Sequence, residues 1–414
     1  MVERSVPRVA IVGAGFGGLW TAKALAGKPV EVTLIDKNNY HTFFPLLYQV
    51  AAAEVDPGDI VHPVRKILRE IKNVRFALAE IQAVDFETRV LDAGDLKIPY
   101  DYLVLATGST VSYFGVPGAE QYTFPLRTME QAINLRNHIL CRFETASFEQ
   151  DPEVRRRMLT FVIVGGGPTG VEFAGALEEL IRGPLVKDFP NLDFSEVSVV
   201  LIEGLDRLLT YLPENLSEFT LKRLQKMGVD VRLQTMVNEV FPDGVRLQNG
   251  EVISTDTVVW SAGAKGAAVD GWGLPTNRVG QIEVTETLQV NGLPGVYVVG
   301  DLASCKIDGE ALPMLAPVAT QQAETAAENI LRQVRGEAPE QFRYTDLGAM
   351  TVIGRNAAVA NLFGRWTFTG FVAWVMWLGV HLFRLIGFRN RLMVLTNWAW
   401  DYLFFERVVR LILP

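Results

Sequence analysis

An apolar strand that runs into a glycine-rich turn and then into a helix occurs twice in this chain. The first copy is Arg8-Val-Ala-Ile-Val-Gly13-Ala-Gly15-Phe16-Gly17-Gly18, followed by Leu19 to Leu25. Eighteen residues after Gly18, a second apolar strand (Val30 to Ile35) ends on Asp36. Each piece has a physical reason. Gly13 permits the tight turn, Gly15 lets the backbone approach a pyrophosphate, and Gly18 lets the helix pack on the strand. The helix N-terminus offers unpaired N–H groups and the positive end of its dipole to phosphate. A carboxylate at the position of Asp36 accepts hydrogen bonds from a ribose. In this context the fingerprint predicts a dinucleotide-binding fold.

The second copy places a strand at Leu159 to Val164, the turn at Gly165-Gly166-Gly167-Pro-Thr-Gly170, and a helix over Val171 to Ile181. An inserted loop (Gly183 to Glu196) precedes a strand, Val197 to Ile202, that ends on Glu203. Both copies close alike: Gly108 follows Gly13 by 95 residues, and Gly263 follows Gly165 by 98. Near-equal spacings predict duplicated domains. A later strand, Gly295 to Asp301, is expected to return to the first domain and bring Asp301 near the first ligand. The bland alternatives stay open: Gly17 and Gly166 as packing glycines, Asp36 and Glu203 as solvated strand ends.

Charge and cysteine narrow the function. The chain carries a net −8, but residues 365 to 414 hold six arginines against Asp401 and Glu406, a net +4, so the rest carries −12. That distribution excludes a nucleic-acid footprint and gives the tail a local surface role. Cys141 and Cys305 are the only cysteines, far apart, as expected outside an oxidising compartment. Met1 to Pro7 leave no room for a signal segment, so a cytoplasmic location is expected. The four histidines (His41, His62, His138, His381) are scattered without ligand spacing, so no metal site is expected. His41 reads as structural or ligand-adjacent.

The tail combines Gly370 to Phe383, uncharged and 14 residues long, with Leu392 to Leu413, interrupted by Asp401, Glu406 and Arg407. Spanning a bilayer takes roughly 20 apolar residues. Five of the eight tryptophans lie here: Trp366, Trp374, Trp377, Trp398 and Trp400. Tryptophan on one side and arginine on the other suits helices lying in a membrane surface. A pair of core or dimer-interface helices is the alternative.

These residues resemble the two-dinucleotide-domain flavoproteins that include glutathione reductase, and within them type II NADH:quinone oxidoreductase, the single-chain, non-pumping NADH dehydrogenase. The resemblance rests on the two fingerprints and on Tyr40 to Gln49, Asp56 to Ile60, Asp101 to Ser109, Gly300-Asp301-Leu-Ala, Ala316 to Gln322 and Thr345 to Val359. It implies an α/β fold with two Rossmann-like doubly wound domains plus a C-terminal region of amphipathic membrane-binding helices. The expected domains are 1–115 with 290–340 for FAD, 116–289 for NADH, and 341–414 for the tail, with anchoring helices over about 367–412.

The resemblance also implies site residues. One non-covalent FAD would sit on Gly13, Gly15, Phe16, Gly17 and Gly18, with Asp36 and Lys37 at its ribose and Asp301 on the ribityl chain. Ile81, Ala106, Thr107, Gly108, Ala319 and Thr320 would line it. NADH would sit on Gly165, Gly167, Gly170, Ala262 and Gly263, with Glu203 on its ribose. An acid there repels a 2′-phosphate and favours NADH over NADPH, although nearby Arg207 works against that preference. Glu172 would stand beside flavin and nicotinamide, orienting a ring or helping proton traffic; its plain alternative is a favourable helix-dipole carboxylate.

For the quinone, Gln321, Pro45 and Tyr48 are candidates together with Pro317, which replaces the first glutamine of the family's Ala-Gln-x-Ala-x-Gln. A backbone-bonding role is the alternative for Gln321. Without a redox cysteine pair, the electrons must leave directly to an acceptor. The expected partners are NADH, a membrane quinone and a lipid surface on the cytoplasmic side of the cytoplasmic membrane, with a homodimer through the tail. The rivals are a sulfide:quinone oxidoreductase, a membrane-bound redox sensor and a soluble reductase that dimerises through its tail. Removing residues 365 to 414 is expected to release the enzyme from membranes and spare its soluble-acceptor activity.

Overall fold

Strands such as Thr160–Val164, buried on both faces and rich in Val and Ile, belong in parallel sheets covered on both sides. The computed structural model describes residues 6–269, 272–307, 309–407 and 409–412. They form two units: Met1–Thr42, His62–Thr110 and Ala264–Asp346 in the first; Phe43–Val61, Val111–Gly263 and Leu347–Pro414 in the second.

The first unit holds a five-stranded parallel sheet in the order Val296–Val298, Tyr102–Leu105, Arg8–Val12, Glu31–Asp36, Val74–Leu78. The late strand from the Gly295 to Asp301 run thus returns to the first sheet. Helices Phe16–Ala24 and Ala316–Val334 pack together. Residues 264–289 group here, and not with the second fold as the sequence reading drew the boundary. Trp272, Ile282 and Val290 share a core with Val12, Leu105 and Val298, and Ile282 pairs in parallel with Ala303.

The second unit repeats this sheet as Phe124–Pro125, Thr257–Trp260, Thr160–Val164, Ser198–Ile202, Asp230–Arg232. The duplication extends past the fingerprints. Each unit carries a three-stranded antiparallel meander, Ala83–Asp85 to Leu96–Pro99 in the first and Val237–Phe241 to Val252–Ser254 in the second. Only the edge strand differs, being supplied from after the fold in one copy and from before it in the other. Part of the expected loop from Gly183 is helical. Helix Pro168–Leu180 runs on into a π-turn, Ile181–Leu185, at Pro184, whose missing N–H suits a local break in the helical ladder.

The C-terminal part of the second unit is an antiparallel sheet, Ala349–Gly354, Ala357–Leu362 and Trp366–Thr369, followed by helices Gly370–Arg384 and Phe388–Phe404. Helix Pro168–Leu180 packs on the strand Ala349–Gly354, and Gly175 lies at a close approach between them. A Cβ there would lie 2.5 Å from the Ile353 carbonyl oxygen. The tail departs from a purely interfacial layout. Trp377 and Trp398 are buried, while Trp366 and Trp400 are exposed. Arg407 is buried as well, and Arg410 pairs with Asp188, leaving Arg365, Arg384 and Arg389 as exposed basic groups. Leu413, the end of the second apolar segment, lies outside the described residues. Among the described residues no helix is long and apolar enough to cross a membrane.

Candidate functional site

In the first unit the glycine turn is built by contact. Gly13 has φ +105°, and a Cβ on it would lie 2.3 Å from the Ala106 carbonyl oxygen. A Cβ on Gly18 would meet the Gly13 carbonyl oxygen at 1.8 Å. Gly17 faces Val299 and Ala106, so it is a packing glycine. Around Gly15, by contrast, nothing lies within 4 Å of a built Cβ. That open ground in front of the helix N-terminus fits a pyrophosphate. Asp36 closes the turn: Ala14 N–H donates to Oδ2 at 2.6 Å and Asn38 N–H to Oδ1 at 2.7 Å. It is therefore a fixed acid, with lone pairs left for a ribose. Burial raises its pKa, and those two backbone donors oppose the rise.

Around this turn, Phe16 meets His41 edge-on at 5.1 Å, and His41 Nδ1 bonds the Ala14 carbonyl at 2.9 Å. Its Nε2 has no partner among the described residues, and burial lowers its pKa to about 4, so the ring is neutral. It is a structural histidine with one ring nitrogen to offer. Lys37 forms an exposed pair with Glu80 at 3.7 Å. Ile81 is a core residue, and the Thr107 hydroxyl donates to Ala267 O at 2.8 Å. Gly108 takes φ +74°. Asp301 accepts from the Ser109 hydroxyl at 2.5 Å. Ala319 packs on Gly300, whose N–H donates to Gln322 at 2.7 Å.

The second unit repeats this cradle. Gly165 takes φ +111° against Ala262, and a Cβ on Gly170 would lie 1.9 Å from the Gly165 carbonyl oxygen. Nothing lies within 4 Å of a Cβ built on Gly167. Glu203 accepts from Gly166 N–H at 2.6 Å and from Leu205 N–H at 2.8 Å, the same two turn positions that Asp36 holds. Gly263 has φ +70° beside Phe114. Arg207 donates to the carbonyls of Leu212 and Thr210, at 3.2 and 3.0 Å.

Glu172, in the first turn of helix Pro168–Leu180, lines a cavity of about 40 Å³ together with Tyr48, Glu54, Glu179, Arg355, Trp377 and Asp401. Val352 N–H reaches its Oε1 at 3.4 Å. Burial raises its pKa to about 8, with Glu54 adding to the rise and the Val352 N–H opposing it. Tyr48 is buried, takes a hydrogen bond from Gln49 at 3.1 Å and meets Trp377 at 6.5 Å; Pro45 precedes it in a 3₁₀ turn, Phe44–Leu46.

Pro317 and Gln321 stand in the first unit, in the first turns of helix Ala316–Val334. Proline is tolerated there because its missing N–H would be unpaired anyway. The Thr320 hydroxyl folds back onto the Pro317 carbonyl at 3.1 Å. The Gln321 amide does not point free as a quinone contact would: it donates to Thr345 O at 3.0 Å and accepts from Thr345 N at 2.9 Å, the backbone-bonding alternative. One further donor and acceptor remain on it.

Sequence reasoning missed Glu54, Glu179, Arg355 and Arg407. Glu179 left a signal, since 172, 176 and 179 fall on one helical face. Glu54 and Arg407 left none. Among the described residues no group of acids, histidines and cysteines could hold a metal ion.

Residues 7–323 match the pyridine nucleotide-disulphide oxidoreductase family, so the fold and its two cradles define a flavoprotein of the two-dinucleotide class. Residues 347–407 match the NDH2 C-terminal domain. A type II NADH:quinone oxidoreductase of Mycobacterium tuberculosis, Ndh, is 35% identical over 412 residues, 96% of this chain and 88% of that protein. One from Staphylococcus aureus is 30% identical over 86% of this chain and 90% of its own. The chain belongs to the type II NADH:quinone oxidoreductases. A solved structure of NDH2 from Plasmodium falciparum in complex with NADH shares the fold, with TM-score 0.91, 20% identity, 99% of this chain and 100% of that one covered. FAD as cofactor, NADH as donor and quinone as acceptor hold with that membership.

Proposed function

We propose that FAD lies on the first cradle and NADH on the second, and that Glu172 carries a proton for the reduction of quinone. The observation that supports this assignment is the twin cradle, in which Asp36 and Glu203 grip equivalent backbone positions beside ground left open at Gly15 and Gly167. Bound FAD supplies the acceptor for hydride from NADH. The protein's own residues do the rest. The two turns anchor pyrophosphates, the two acids hold riboses, and Glu203 turns away a 2′-phosphate. Glu172 offers a neutral O–H up to its pKa of about 8 and loses it as the pH rises through that value.

A lipid surface is the proposed seat of the enzyme, on the cytoplasmic face. Phe371, Phe383, Phe388, Leu392 and Leu403 are each at least 50% exposed on the tail helices, and Arg365, Arg384 and Arg389 stand exposed among them. Each arginine near an anionic leaflet adds about 1 kcal/mol. A homodimer is part of the same reading and is tested by sedimentation in detergent.

Anaerobic stopped-flow tests the assignment. NADH should bleach the oxidised-flavin band and a short-chain quinone should restore it. Bleaching without recovery would mean another acceptor, and absence of bleaching in the FAD-loaded protein would remove NADH from the second cradle.

A further inference from the structure

The cavity behind Glu172 holds more acid than one proton carrier needs. Glu54, Glu172, Glu179 and Asp401 line it, with Arg355. Arg407, 1% exposed, lies 3.8 Å from Glu54 and 3.4 Å from Glu179, and its Nη1 donates to the carbonyls of Ala52 and Ala176 at 2.7 and 2.8 Å. Arg355 binds Glu179 through its backbone N–H and the Asp401 carbonyl through its side chain. Four carboxyl groups thus face two guanidinium groups. A desolvated cluster of that composition is neutral when two of the carboxyls keep their protons.

Two of the four, Glu54 and Glu172, share the cavity wall with Tyr48 and Gln49. Gln49 is fixed by the Trp398 indole, which donates to its oxygen at 3.0 Å. Its amide nitrogen donates to Tyr48 Oη and to Glu54 Oε1, both at 3.1 Å. Glu54 is therefore oriented toward the Tyr48 side of the cavity, where Glu172 stands. Burial raises its pKa to about 8; Arg407 and Arg355 oppose the rise, while Asp401 and Glu179 add to it. Glu172 in turn faces Val352 N–H, Trp377 and Glu54. Glu179, 27% exposed, opens the cluster toward solvent. The space between them is roomy enough for water, with carboxyl and guanidinium groups on its wall to hold it.

We propose that Glu54 is a second proton-holding carboxyl in series with Glu172, and that Arg407, carried in from the C-terminal segment, positions it. The inference rests on the reading of Glu172 as a proton carrier. NADH, quinone and one proton give NAD⁺ and quinol, so each turnover draws one proton from solvent. Glu172 gives up its proton, Glu54 replaces it across the cavity, and Glu54 is refilled past Glu179 and Asp401. Only O–H bonds break and form in this relay, and no further reductant or oxidant is required.

The test uses the full-length FAD-loaded enzyme with Glu54→Gln, whose carbonyl still accepts from Gln49 but whose amide carries no exchangeable acid proton. Turnover is measured with NADH and a short-chain quinone, which takes up protons, and with ferricyanide, which takes only electrons, from neutral to alkaline pH. The expected result is a fall of about tenfold or more in quinone kcat, an alkaline limb moved to lower pH, and near-normal flavin content and ferricyanide turnover. Glu54→Asp should restore part of the quinone rate. Equal losses with both acceptors, or an unchanged quinone rate and pH profile, overturn the proposal. Glu172→Gln is run beside it. A slow Glu172→Gln with a normal Glu54→Gln removes only the relay, whereas a normal Glu172→Gln removes the Glu172 reading and the relay with it.

Discussion

Replacing Gly175 by alanine sets two effects of opposite sign against each other. In the interior of helix Pro168–Leu180, alanine is favoured over glycine by about 1 kcal/mol. The new Cβ, however, would lie 2.5 Å from Ile353 O and 2.9 Å from its carbon, where ordinary contact begins at 3.4 Å. Both parties are backbone, one in a helix and one in a sheet, so neither can rotate away. Helix and strand must part by most of an ångström, at about 3 kcal/mol, the upper end of usual overpacking costs. The net is about 2 kcal/mol of destabilisation, a Tm fall of about 4–8 °C for a unit of this size.

Gly379 supplies the control, since it lies inside helix Gly370–Arg384 with nothing within 4 Å of a built Cβ. Gly379→Ala should raise Tm by about 1–4 °C. Thermal unfolding of the FAD-loaded variants, followed by flavin fluorescence, measures both. A Gly175→Ala protein as stable as the parent or more so would refute the argument that backbone contact fixes this packing.

Two further outcomes follow from the site and the tail. Glu203→Gln should raise the NADPH-to-NADH ratio of kcat/KM by about tenfold or more, because the like charge facing a 2′-phosphate is gone; an unchanged ratio, read from initial rates, would place specificity elsewhere. The double variant Phe383→Glu/Phe388→Glu removes two exposed rings worth about 1.5–3 kcal/mol each when buried and should cut sedimentation with anionic vesicles at least about tenfold while ferricyanide turnover persists. Undiminished vesicle binding would move the lipid contact off these helices.

Both cradles were legible in the sequence because their logic is local. A strand, a turn that tolerates only glycine and an acid at the next strand end lie within some forty residues of one another. The close approaches at Gly18 and Gly170 are of the kind the spacing implied. The tail was half legible. Its tryptophans suggested an interface, yet Trp377 and Trp398 turn inward because Tyr48 and Gln49, more than three hundred residues earlier, offer them an edge contact and a hydrogen-bond acceptor. The Glu172 cavity was hidden for the same reason. Glu54 and Arg407 come from segments with no shared period, and nothing short of the fold brings a guanidinium between two such distant carboxyls.

Arg407 also changes how a detergent-free form of this enzyme should be engineered. Clipping the chain at residue 365 looks from the sequence like a clean excision of an anchor. In the fold it would withdraw a counter-ion from beneath two carboxyls and strip Trp377 and Trp398 from the wall of the Glu172 cavity. Proteolytic nicking in the last turn of the tail should accordingly impair turnover on protein already free of lipid. Solubilisation is better sought by repainting the outward rings with polar side chains, which leaves the C-terminal bolt in its keeper.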